Sequence, residues 1–126
     1  MAKYPSNRMA VVLVHPDGGV AMNDVAVALI FGCTEGQIAA RKRYTRGPLV
    51  QNATNAMRRR AIQRRKAFTK ATGEPPTELG MVRYYAAREH VGVMYRIGDE
   101  DTVMIAPDGS VIPRVDNADE LETAHV

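Results

Sequence analysis

A chain of 126 residues with 45% apolar and 25% charged side chains has the length for one buried core and the composition of an ordinary globular domain. No apolar run approaches the ~18 residues of a membrane span, and a lone cysteine, Cys33, excludes an internal disulfide and points to a reducing cytoplasm. The formal charge of +3 is unevenly spread, since residues 41–70 hold eleven basic and no acidic side chains and residues 99–126 hold eight acidic and one basic. The middle of the chain therefore suits a polyanionic partner, and the C-terminal part carries a possible counterweight.

The first element is a strand over 9–15, MAVVLVH, which meets Pro16-Asp17-Gly18-Gly19 too soon to be a secretion signal. A return strand at 19–22 makes it a hairpin, with Gly18 supplying the positive φ. Asn23 is placed to cap a helix over about 24–31, with Asp24 in the first turn where the dipole favours a carboxylate. Gly32 ends that helix as a left-handed terminator. Thr34-Glu35-Gly36-Gln37 then fits the capping box of a second helix, which runs to about Arg46 before Gly47-Pro48.

A longer helix over about 52–72 carries the apolar stripe Val50, Ala53, Met57, Ala61, Ile62 and Phe68. Gly73 and Pro75-Pro76 close it, and Thr77 caps one more helix over about 78–90 with Leu79, Val82 and Ala86 inward. The period then changes to that of strands in VGVMYRIG, TVMIA and SVIPRV, a small C-terminal antiparallel sheet over about 91–115. Residues 116–126 read as an acidic tail. The fold expected is α+β, one domain over 1–115. VLVHPDGGV and VMIAPDGSV share a strand–PDG–strand pattern, which common turn chemistry explains without a repeat.

Two helices joined by a short turn containing glycine are a helix-turn-helix unit. The spacing Ala28-x3-Gly32-x5-Ile38 over residues 24–45 resembles that DNA-binding superfamily. Ala28 is small where the second helix crosses above it, Gly32 turns the chain, and Ile38 with Val27 and Phe31 fills the wedge. Cys33 and Arg41 stand where the family more often has apolar residues, and a buried cysteine serves as a small hydrophobe. The resemblance implies that helix 34–46 enters the major groove. Its outward face then holds Gly36, Gln37, Ala40, Arg43 and Tyr44. Gln37, if free of the capping box, suits an adenine edge, Ala40 a thymine methyl, an arginine guanine, and Glu35 cytosine. Arg41, Lys42, Arg43 and Arg46 would otherwise lie against phosphates, and Thr34, the cap of this helix, counts with the DNA-binding set.

The second basic element, MRRRAIQRRKAFTK, crowds Arg58, Arg59, Arg60, Arg64, Arg65 and Lys66 onto one helix with no acidic partner at i+4. A polyanion along it would relieve the repulsion; neutralisation by the acidic tail is the plainer alternative. Tyr84, Tyr85 and Tyr95 suggest base stacking, although tyrosines more often bury the ring and expose the hydroxyl. His15, His90 and His125 have no partner at metal-ligand spacing, and no nucleophile motif or phosphate-cradling loop is present. No metal, cofactor or catalytic activity is expected. The function expected is sequence-specific binding of double-stranded DNA by a homodimeric transcriptional regulator, similar in size to small phage and plasmid regulators, with the C-terminal sheet, flanked by acid, as the dimer or partner surface. The alternatives are a phage-type packaging adaptor similar to a small terminase subunit, and a protein- or RNA-interaction module.

Overall fold

The computed structural model describes residues 9–44 and 53–112. The acidic tail, Arg46, Val50 and the side chains of Arg43 and Tyr44 lie outside the described residues. Among the described residues, the chain forms β1 (Met9–Val14), β2 (Val20–Met22), α1 (Asp24–Phe31), α2 (Glu35–Tyr44), α3 (Asn55–Thr72), α4 (Glu78–Glu89), β3 (Gly92–Ile97), β4 (Val103–Ile105) and β5 (Val111–Ile112). This is the expected α+β order, strands before and after a helical middle.

The two groups of strands fuse into one sheet of order β2-β1-β3-β4-β5. β1 and β2 form the N-terminal hairpin, and β3, β4 and β5 an antiparallel meander. What joins them is a parallel pairing of β1 with β3, in register from Met9 opposite Gly92 to Val14 opposite Ile97. A parallel pair needs a long crossover, which the helical middle supplies. The two PDG turns share one geometry. Gly18 and Gly109 have φ of 94° and 92°, and Asp17 and Asp108 each accept a backbone N–H two residues on, at 2.8 and 2.9 Å.

The main core lies between the sheet and α1, α3 and α4. Its buried members include Ala10, Val12, Val25, Leu29, Phe68, Val82, Tyr85 and Val93. A smaller cluster of Ala28, Ile38, Ala53 and Met57 sits on the other side of α1, with Val27, Phe31 and Cys33 packed against it. α1 is thus the shared wall of both clusters, and α2 is held through the second. Fully burying a side chain such as Ile38 is worth about 1.5–3 kcal/mol.

Helix ends follow side-chain chemistry. The Asn23 side chain accepts from Ala26 N at 3.0 Å to cap α1, accepts from Val11 N at 3.0 Å, and donates to Met9 O at 2.8 Å. One residue therefore both starts the helix and continues the ladder beside β1. Thr54 accepts from Met57 N, so α3 begins at Asn55 and not at about 52. Thr77 caps α4 as expected, and His90 closes it in the left-handed region with φ of 59°.

The stripe read along α3 needs one correction. Met57 and Phe68 are buried, whereas Ile62 is 51% exposed. At ~100° per residue Ile62 lies about 140° from Met57, so the two cannot share an inward face.

Candidate nucleic-acid interface

The turn between α1 and α2 is built from the residues that the spacing marks. Gly32 adopts φ 66° and ψ 37°, and its N–H and that of Cys33 both meet the Ala28 carbonyl, the latter at 3.1 Å. Ala28 and Ile38 are buried on the two helices it joins. A Cβ at Gly32 would fall 2.8 Å from the Arg64 Nε, so both backbone conformation and space require glycine there.

The second helix opens with a reciprocal capping box. Gln37 N donates to the Thr34 hydroxyl at 3.1 Å, and Thr34 N donates to the Gln37 Oε1 at 2.9 Å. This commits the amide oxygen on which an adenine contact was to rest and leaves the Nε2 donor. Lys42 is likewise engaged, its Nζ 2.9 Å from Asp24 in the first turn of α1. That pair is exposed and of little energetic weight, but it ties the outer ends of the two helices. Gly36 and Gln37 face solvent, while Glu35, Ala40 and Arg41 are half-buried.

The five arginines of α3 do not act alike. Arg58, Arg59 and Arg65 are exposed, together with Lys66 and Lys70. Arg64 turns inward. Its Nη1 donates to Leu29 O at 2.7 Å, its Nη2 pairs with Glu89 at 3.0 Å, and its Cζ stands 4.2 Å from the centre of the Tyr85 ring. Arg64, expected among the phosphate contacts, thus has its guanidinium engaged as a strut between α1, α3 and α4. Arg60 is half-buried, and its Nε is buried with no hydrogen-bond partner. It borders a cleft of about 480 Å³ between α2 and the start of α3, lined also by Gln37, Ala40, Arg41, Thr54 and Met57.

Tyr84, Tyr85 and Tyr95 are spent on packing. The Tyr85 hydroxyl donates to Arg64 O at 2.8 Å, and Tyr84 stands edge-on to both Phe68 and Tyr85. Tyr95 faces the helices, beneath Arg83. The described face of the sheet away from the helices carries no aromatic ring, so the base-stacking idea has no platform. Cys33 has its thiol pKa raised by burial, against the smaller opposing pull of Arg60 and Arg64. It is a packing residue, not an activated nucleophile. Among the described residues no three His, Cys, Asp or Glu side chains gather as a metal site, and no helix is long and apolar enough to cross a membrane.

Sequence reasoning missed the Arg64 strut and the second task of Asn23, because both join residues far apart in the chain. The Thr54 cap was open to detection, as a threonine three residues before the buried Met57. No family model matches the chain, and no curated protein or solved structure matches it either.

Proposed function

We propose that the chain binds double-stranded DNA sequence-specifically through α2, as a small transcriptional regulator that acts as a dimer. The observation that carries this reading is the left-handed Gly32 between the buried Ala28 and the buried Ile38. It sets α2 against α1 with its first turn, Gly36 and Gln37, open to solvent. Base edges would meet the Gln37 Nε2, Ala40 and Arg43. Arg41 and the exposed Arg58, Arg59 and Arg65 of α3, with Lys66, would hold phosphates. Arg64 has no part in this interface.

Selection of bound duplexes from a random pool tests the proposal, with affinity then followed against salt. A recovered motif, preferred over scrambled DNA by several kcal/mol and weakened by Arg43→Ala, is the expected result. Tight binding with a steep salt dependence and no motif would refute sequence reading and leave α3 as a phosphate binder.

One observation favours a second reading. Ile62 is exposed among Arg58, Arg65 and Lys66, beside a groove floored by Met22, Ile30, Phe31 and Met81. An apolar residue with Arg58, Arg65 and Lys66 around it, and Glu78 at the far side of the groove, suits a largely acidic protein segment. Under that reading, charge reversal at Arg58 and Arg65 abolishes partner binding while changes on α2 leave it intact.

A further inference from the structure

Alternation along the strands sends Ala10, Val12, Val93, Tyr95 and Ile105 into the core beneath the helices. The intervening residues therefore project from the opposite face. The registers align four of them, with Val11 opposite Met94, Met94 opposite Met104, and Met104 opposite Ile112. They form one apolar row across β1, β3, β4 and β5. Leu13 lies to one side of the row. To the other lies Met9, whose Sδ would sit 2.9 Å from a Cβ at Gly92, so the missing side chain leaves Met9 its place. Each residue of the row is half-buried, and among the described residues no helix packs on this face. Its one charge among the described residues is Arg96, exposed at the end of β3, and the acidic turn Asp99-Glu100-Asp101 follows three residues later.

We infer that this face is where two copies of the chain meet, sheet against sheet about a two-fold axis. An isologous contact sets a patch against itself, so it suits a surface that is apolar inside and mixed in charge at its rim. This face is of that kind: a second copy meets both signs of charge at the edge and neither in the middle. The outer face of α3, by contrast, carries charge of one sign only, from Arg58, Arg59, Arg65, Lys66 and Lys70, and repels its own copy. Three methionines among the apolar residues can adjust their shape to a facing row. The short edge strands β2 and β5 offer little to edge-to-edge pairing.

Strands of six, three, six, three and two residues, at ~3.3 Å per residue and ~4.8 Å apart, give a face of about 300 Å² per copy, against about 800 Å² per partner in a standard stable interface. The pair is therefore a weak, concentration-dependent dimer. The self-contact does not depend on the DNA reading.

The test uses the full chain without DNA, by sedimentation equilibrium across the micromolar to millimolar range and by NMR dilution. The wild type is expected to pass from monomer to dimer, with concentration-dependent shifts at Val11, Met94, Met104 and Ile112. Met94→Glu with Met104→Glu is expected to stay monomeric with unchanged circular dichroism, and Leu13→Lys to weaken the dimer at least tenfold. Should the double variant fail to fold, Leu13→Lys and the wild-type shift map still decide. Arg58→Ala with Arg59→Ala should dimerise as the wild type does, even where it loses DNA. A chain that stays monomeric throughout, or shifts that gather around Ile62, would overturn the inference. Absence of DNA binding in a chain that dimerises would refute the proposed function and leave the interface standing.

Discussion

At Arg64 a single side chain holds three helices. It reaches the last turn of α1 through Leu29 O, α4 through Glu89, and covers the Tyr85 ring, while its own carbonyl accepts the Tyr85 hydroxyl. Arg64→Ala should cost about 1–3 kcal/mol in urea unfolding, mostly by leaving the Leu29 carbonyl without its charged donor, since the Glu89 pair is partly exposed. Gly32→Ala should cost about 2 kcal/mol for a side chain held at positive φ. Because the new Cβ and the guanidinium compete for the same space, the double variant should lose less than the two singles together; additive losses would show that they do not touch. Tyr85 gives the pH dependence at this same point. Burial, the largest cause, raises its pKa above the usual 10.0. Its contribution is complete below pH 10 and is lost as pH rises through the higher folded value, when the ionised oxygen can no longer donate to Arg64 O. Thermal midpoints should therefore fall on the alkaline side more steeply in the wild type than in Tyr85→Phe. Apart from the left-handed Gly32, none of this was legible in the sequence, where Arg64 is one of a run of like charges and its partners lie 21 to 35 residues away.

Among the elements, α2 shows most plainly how local chemistry and reading chemistry compete for one side chain. The Thr34–Gln37 box was readable from four residues because its bonds are local. The same legibility exposes a conflict, for the oxygen that closes the box is one of the two atoms a glutamine needs against adenine. Gln37→Glu separates the roles. A glutamate still accepts from Thr34 N, so unfolding should move by less than about 0.5 kcal/mol, whereas Thr34→Ala should cost about 1 kcal/mol. The donor Nε2 is lost and a carboxylate faces DNA, so affinity for a selected site should fall tenfold or more in fluorescence anisotropy. Equal affinity would remove Gln37 from the reading face. α3 shows the opposite limit. Its existence and its C-terminal stop at Gly73 were readable, but the stripe was drawn too wide, and the exposure of Ile62 follows only once Met57 and Phe68 fix the inward direction.

For the whole molecule, the order of elements was legible and the joining of the sheet was not. Each strand announces itself by alternation, whereas the parallel pairing of β1 with β3 links segments some eighty residues apart, and no local pattern specifies it. Charge belongs to this scale as well. The exposed Arg58, Arg59, Arg65 and Lys66 of α3 have no acidic side chain within ion-pair distance among the described residues. Residues 116–126 carry four carboxylates and no lysine or arginine, so ending the chain at 115 raises the formal charge from +3 to +7. If those carboxylates compete with phosphates for α3, the shortened chain should hold non-specific DNA more tightly at low salt. The gain should vanish as the screening length drops from ~30 Å at 0.01 M toward ~8 Å at physiological ionic strength. It should also vanish in Arg59→Ala with Lys66→Ala, whose salt slope should be shallower by about 1.8, or ~0.9 for each lost phosphate contact. Equal affinity of the long and short chains at low salt would show that the tail does not compete with DNA for α3.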